Sequence, residues 1–250
     1  MTLIHLMHAS MQYSDTKDQQ LHDASAVFEY AKANKVWWVT GTEANAASDR
    51  ANFAKGASDH GFRFFHDGGD VWVGVNSAIT KPEVQVNAKF YLVIHGKAGS
   101  YPNRGPLRVS FPSAYGRINV LACHYNLSGP KHPRAPGAKQ NPQLAREIGR
   151  LTRLFGRGTG LVFYGGDQNL HDEKPGVDTF YGQPLTSAWD ELKHYEHTHP
   201  GRETIDVIAS YNNDTRVSAK YVHALDDTKL ALHTDHYPVV AGYDIKSLKK

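Results

Sequence analysis

The chain has one cysteine, Cys123, among 250 residues, so no intramolecular disulfide framework is open to it. A reducing, cytoplasmic setting is therefore expected. No apolar run comes near the ~18 to 20 residues that a membrane span needs. The start MTLIHLMHASMQ is too short and too rich in histidine for a signal-peptide core, and reads instead as a first strand. A large charge of one sign is missing too: Lys plus Arg is 28 against 25 for Asp plus Glu, and a net +3 does not by itself announce a polyanionic partner. Internal repeats, low-complexity tracts and a Pro/Gly/Ser-rich linker are also lacking, which favours one domain over 1–250. Hydrophobic content of 40% is enough for a sizeable core without metal or disulfide staples. What is abundant is histidine, 15 residues, the richest supply of general acids, bases and metal ligands in the chain.

Periodicity predicts a strand over 2–10, a helix over 16–34 with Leu21, Ala24, Val27, Phe28 and Ala31 at helical spacing, and a buried strand from Val36. A second helix is expected around 46–57. Strand follows strand from Phe62 to about residue 125, including Lys89 to His95, Leu107 to Phe111 and Arg117 to Tyr125, with Gly/Pro/Asn turns such as GSYPNRGP between them. The Pro/Gly stretch 128–142 reads as a long loop before a helix from about Pro142 to Phe155. In that helix Leu144, Ile148, Leu151 and Phe155 share one side, while Arg146, Arg150, Arg153 and Arg157 share another that reads as a solvated face. Further strands are expected at 161–170, 204–209, 217–223 and 237–245, with a short segment at 185–192. Helices early, many strands in the middle and a helix before the next buried strand predict a mixed-sheet α/β layered domain.

Several apolar runs end alike. LVFYGGDQNL runs into Gly165-Gly166-Asp167-Gln168-Asn169, where two glycines would let the chain turn sharply and approach a ligand. Taken alone, that segment is equally an ordinary strand-to-loop turn. WWVTGTEAN ends with Glu43 and Asn45, RINVLACHYNL with His124 and Asn126, and ETIDVIAS holds Asp206 between apolar flanks, where a carboxylate needs a partner. HTDHYPVVAGYDI places Asp235 and His236 before a strand. Glu43 by itself would suit a helix start; the recurrence of such endings is what raises it. A cleft collecting Glu, His, Asp and Asn has what phosphoester hydrolysis requires: hard oxygen ligands for a divalent cation, and an acid and base set for water and leaving oxygen. A zinc hydrolase is the rival, from His197-Thr198-His199 and His233-Thr234-Asp235-His236. His5, His197, His199, His223 and His233 are expected as surface or satisfied polar residues, and Trp37, Trp38, Trp72 and Trp189 as core.

GGDQN at 165–169, IDVI at 205–208 and TDHYPV at 234–239, preceded by Glu43 and His124 at strand ends, resemble the endonuclease/exonuclease/phosphatase superfamily in order and spacing over about residues 2–245. The resemblance implies the deoxyribonuclease-I-like α/β fold, a four-layer sandwich of two mixed β-sheets flanked by helices. It implies a Mg²⁺ cofactor, with Mn²⁺ as substitute. Glu43 and Asp235 match the metal-site carboxylates, Asp167 the residue that positions or deprotonates water, and Asn169 the amide that orients phosphate or metal. His236 matches the phosphate-contacting histidine, Asp206 the carboxylate that orients it, and His124 a second acid or base. The family ends its first strand with an asparagine; here Ser10 stands at that place, either holding a metal-bound water or yielding to Gln12 through a register change.

Lys131 and Arg134, in the loop after the His124 strand, are expected with Asn126 to bind substrate, which favours nucleic acid, DNA first. The expected activity is a divalent-metal-dependent phosphodiesterase, a DNA endonuclease. Alternatives are a phosphatase or phospholipid phosphodiesterase of the same fold, or a nucleic-acid-binding module with a decayed site. No obligate protein partner is evident.

Overall fold

The computed structural model describes residues 1–11, 16–44, 46–66, 68–80, 83–96, 102–127, 137–169, 184–199 and 204–247. Strand β1 (Thr2–Ser10), helix α1 (Lys17–Ala33) and strand β2 (Val36–Thr42) form a parallel β-α-β unit. Helix α2 (Ala47–Asp59) and strands β3 (Phe62–Phe65), β4 (Trp72–Asn76), β5 (Asn87–Phe90) and β6 (Leu107–Ser113) follow. A second parallel unit then joins β7 (Gly116–His124), α3 (Gly137–Phe155) and β8 (Leu161–Asp167). The remaining elements are β9 (Leu185–Ser187), α4 (Ala188–Leu192), β10 (Asp206–Tyr211), β11 (Val217–Ala224) and β12 (Val239–Ile245). Among the described residues no helix is long and apolar enough to cross a membrane.

Two six-stranded mixed sheets result, one ordered β11-β12-β1-β2-β4-β3 and the other β5-β6-β7-β8-β10-β9. Each centres on one parallel pair, β1 with β2 and β7 with β8, and a parallel pair needs a crossover connection, which α1 and α3 supply. Alternation along β1 sorts its side chains. Ile4 and Leu6 join the core between the sheets, while Met7 and Ala9 face α1 and α2 with Val27, Phe28, Phe53 and Trp72. Between the sheets the ring of Trp38 meets Phe163 at 5.1 Å and Phe111 at 6.0 Å, and Phe163 meets Tyr243 at 5.5 Å. Truncating a ring packed like Phe163 to alanine costs about 3–5 kcal/mol. On the far side of the second sheet, Leu144, Ile148 and Leu151 of α3 are buried as expected, and Arg146, Arg150, Arg153 and Arg157 are exposed. Trp38, Trp72 and Trp189 are fully buried and Trp37 partly so.

Three expectations need correction. The Gly165-Gly166 pair is no turn: it lies inside β8, and neither glycine has positive φ. The pair is there for close approach. A Cβ on Gly165 would stand 2.0 Å from Thr40 Oγ1 of the opposite sheet, and one on Gly166 would stand 2.2 Å from the Cys123 carbonyl. Helix α3 begins at Gly137, about five residues before the expected start, and carries Pro142 inside it. Proline fixes a helical φ and near the start removes a single hydrogen bond, so it does not mark the first residue. Finally, the strand expected over Lys89 to His95 ends at Phe90; beyond it the Tyr91 N–H donates to the Pro106 carbonyl and an isolated bridge joins Ile94 to Arg104.

Candidate active site

Strand direction decides where the polar residues meet. The parallel strands β1, β2, β7 and β8 all end at one edge of the sandwich, delivering Ser10, Glu43, His124 and Asp167. Antiparallel neighbours begin there. Asp206 opens β10 directly opposite Asp167, Asp70 sits two residues before Trp72 of β4, and Asp235 and His236 precede β12 where Val239 pairs with His8. This is the carboxyl-end crevice in which open α/β sheets place ligands.

Two histidine–carboxylate pairs stand at this edge. His236 Nδ1 donates to Asp206 Oδ2 at 2.7 Å, as the resemblance implied. Burial disfavours the imidazolium, but Asp206, with Asp167 and Asp235 adding charge, raises the His236 pKa to about 10. Burial would likewise raise the Asp206 carboxyl; the His236 ring outweighs it, with His8 adding to the effect, and holds it well below the usual carboxylate range. The second pair was not legible in the sequence. His124 Nδ1 donates to Asp70 Oδ2 at 2.6 Å, and the Arg104 guanidinium, in hydrogen-bond contact with the same oxygen, completes a buried charge cluster. Burial and Arg104 lower the His124 pKa, yet Asp70 and Asp167 raise it to about 9. Asp70 lies below its ordinary range: burial raises it, and His124 and Arg104 more than offset that.

Asp167 lies between the pairs. His124 Nε2 is 3.3 Å from its Oδ2, and an oxygen of Asp167 clusters with Asp206 and His236. The Asn169 backbone N–H donates to Asp167 Oδ1 at 2.7 Å. Asn169 Nδ2 has three polar neighbours, Asp167 Oδ2 at 2.9 Å, the Tyr125 carbonyl at 3.1 Å and His124 Nε2 at 2.8 Å. An amide has two protons. With His124 protonated on both nitrogens, those two go to the oxygens, and His124 Nε2–H is left to Asp167. Asn169 has φ 47° and Glu43 has φ 72°, left-handed backbone that is uncommon outside glycine and that clusters at functional sites.

Glu43 sits 3.5 Å from His124 Nε2, and its carboxylate makes no hydrogen bond among the described residues. Burial raises its pKa; His124 and Arg104 lower it, and Asp70 and Asp167 raise it. A hard divalent cation suits a partly exposed carboxylate that lies with Asp70 and His124 in so close a group, so the residues present fit the metal that the resemblance implies. Asp235 turns instead to histidines, with Oδ2 at 3.3 Å from His199 Nε2 and Oδ1 at 3.7 Å from His236 Nε2. His199, expected as a background residue, thus stands beside the site. Ser10 is buried, with its hydroxyl 2.7 Å from Thr42 Oγ1. The Asn126 amide accepts from Arg104 Nε at 3.2 Å and donates to Gln140 Oε1 at 2.7 Å, so each of its ends has a partner within the protein. Lys131, Arg134 and Gln12 lie outside the described residues.

No protein-family model and no curated protein matches the chain. Solved structures do. An endonuclease/exonuclease/phosphatase from Bacteroides vulgatus superposes with a TM-score of 0.75 at 15% identity, over 98% of this chain and 100% of that one. The chain has the deoxyribonuclease-I-like fold. Others sharing the endonuclease/exonuclease/phosphatase architecture include the Bacteroides thetaiotaomicron mannosyl-6-phosphatase Bt3783, with TM-score 0.69, 12% identity and coverage of 95% and 98%. D. rerio TDP2 complexed with a single-strand DNA product gives 0.63, 15%, and 97% and 99%.

Proposed function

We propose that the chain, as one catalytic unit over 1–250, is a metal-dependent phosphodiesterase acting on nucleic acid, DNA in the first place, in a reducing cytoplasmic setting. The observation that carries this reading is the convergence of two buried histidine–carboxylate pairs on Asp167. Asp70 and Asp206 favour the cationic forms of His124 and His236, which suits each ring to donate a proton rather than to take one. The role of base falls to Asp167, which takes the proton of the attacking water while Asn169 holds it in place. His236, fixed by Asp206, contacts the phosphate and stabilises charge on its oxygens in the transition state. His124, fixed by Asp70, donates its Nε2 proton to the departing oxygen. Glu43 would hold a Mg²⁺ or Mn²⁺, joined by Asp235 once that carboxylate turns from His199 and His236, and the ion when bound would polarise the phosphoryl group and neutralise developing charge.

The nuclease preference draws on the DNA-product complex of the TDP2 neighbour and on the basic residues Lys131 and Arg134. A small-phosphoester reading draws on the mannosyl-6-phosphatase neighbour. Supercoiled plasmid, single-stranded DNA, RNA and a phosphomonoester, each with Mg²⁺, Mn²⁺, Zn²⁺ or EDTA, separate them. Cleavage of DNA with Mg²⁺ or Mn²⁺ and none in EDTA is expected. Turnover of the monoester alone overturns the nuclease reading, and restoration by Zn²⁺ alone favours a zinc site at His199, Asp235 and His236. Asp167→Asn should lose about a thousandfold in rate while retaining DNA binding. Binding without hydrolysis in the unaltered protein would point to a binding module.

A further inference from the structure

His8 is the least exposed histidine of the site, at 0%, on the face of β1 that turns toward the opposite sheet. Its Nδ1 is 3.0 Å from Thr40 Oγ1 and its Nε2 is 3.3 Å from Asp206 Oδ1. The latter two atoms are buried and make no well-aligned hydrogen bond, so they face each other as an ion-pair contact, whereas Asp206 Oδ2 is already taken by His236. Proton accounting limits the arrangements. The Thr40 hydroxyl carries one proton and faces the Met7 carbonyl at 3.4 Å and His8 Nδ1 at 3.0 Å. If it goes to His8, Nε2 carries the ring proton and points it at Asp206. If it goes to Met7 and His8 is neutral, Nδ1–H points at Thr40. A bare Nε2 lone pair then faces a buried carboxylate oxygen, and two such atoms left unmet are expensive. Only arrangements with a proton on Nε2 satisfy both.

We propose that His8 donates Nε2–H to Asp206 Oδ1, so that Asp206 bridges two imidazoles and His8 is a positioning residue that fixes Asp206 and, through it, His236. Asp206 is otherwise oriented by its own backbone, whose N–H donates to Thr198 Oγ1 at 3.0 Å and whose carbonyl accepts from Trp189 Nε1 at 3.1 Å. These contacts set where the main chain lies. The one bond from His236 to Oδ2 still lets the carboxylate pivot about that contact, and a second donor on Oδ1 removes that freedom.

The kinetic half of the test rests on the phosphodiesterase reading, and the spectroscopic half does not. His8→Leu keeps the volume and removes the donor; His8→Gln returns an amide N–H near the place of Nε2. We expect His8→Leu to lower kcat about tenfold with KM changed less than about twofold, and His8→Gln to recover most of the loss. In the metal-free protein without substrate, the low-field Nδ1–H proton signal of His236 should move in His8→Leu and return in His8→Gln. Thr40→Val, which removes the hydroxyl that orients His8, should move the same signal and serves if His8→Leu does not fold. An unmoved His236 signal in a folded His8→Leu or Thr40→Val protein overturns the proposal. If the unaltered protein hydrolyses no phosphoester, the phosphodiesterase reading falls and the proton signal alone decides the role of His8.

Discussion

Glu43 joins strain to chemistry within one residue. Its φ of 72° is a conformation a β-carbon resists, and its carboxyl is pushed above its ordinary pKa by burial, so the folded protein holds the group against two separate tendencies. Glu43→Gly relieves both. We expect it to leave stability unchanged or raise it by up to about 1 kcal/mol while abolishing metal-dependent turnover. Urea unfolding beside a plasmid-cleavage assay checks this, and a loss of stability larger than about 1 kcal/mol would show that Glu43 is a structural residue. The contrast is Asp70, whose oxygen serves both His124 and Arg104 in a buried cluster. Asp70→Asn leaves two cationic groups short of their counter-charge, a change worth about 3–5 kcal/mol. Its unfolding midpoint should fall steeply, and a midpoint within about 0.5 kcal/mol of the unaltered protein would show that the cluster is balanced by solvent.

At the level of elements, β8 shows what the sequence made legible and what it did not. The run from Leu161 to Tyr164 was readable as a buried strand ending in a carboxylate, because β-branched and aromatic residues before a polar pair carry that signal locally. The first β-α-β unit was equally clear, with α1 and both strands found close to their observed bounds. Asp206 was flagged by the expense of burying a carboxylate, and its partner is there. Asp70 and Arg104 were not found. Each lies in a Gly- or Pro-rich connection, HDGGD and YPNRGP, that reads as a turn, and their union with His124 depends on how β4 and β7 fall side by side in different sheets. The one usable signal for Asp70 was an acid just before an apolar strand, as at Asp235. Gly165 was misread for a related reason, since only the opposite sheet shows why a side chain is excluded. Gly165→Ala must displace Thr40, and we expect a loss of about 1–3 kcal/mol in thermal or urea unfolding, partly recovered by adding Thr40→Ala. Unchanged stability would mean that the sheets are not held at that separation.

The charges of the whole edge couple folding to pH. His124 and His236 have pKa values of about 9 and about 10 when folded, above the ordinary histidine value of about 6.5. Their contribution is complete below pH 6.5 and is lost as pH rises through 9 and 10. Asp70 and Asp206, depressed when folded, contribute above the ordinary carboxylate pKa of about 3.9 and lose that contribution as pH falls below it. In EDTA the protein should be most stable between about pH 4 and 6.5 and decline markedly by pH 9.5, as read from urea midpoints. The decline should be smaller in an Asp206→Asn/His236→Gln protein, which keeps the share due to His124 and Asp70; an equal decline would place its origin elsewhere. Cys123, one residue before His124 on β7, gives this behaviour a chemical readout. Its sulfur is fully buried and burial pushes the thiol's pKa upward, so no alkylating reagent reaches a thiolate while β7 stays paired with β6 and β8. Each labelled molecule is therefore one that opened at its centre. The rate of labelling, followed by mass against pH or added Mg²⁺, counts those openings directly and would show how far a bound cation slows the parting of the strands that carry the site.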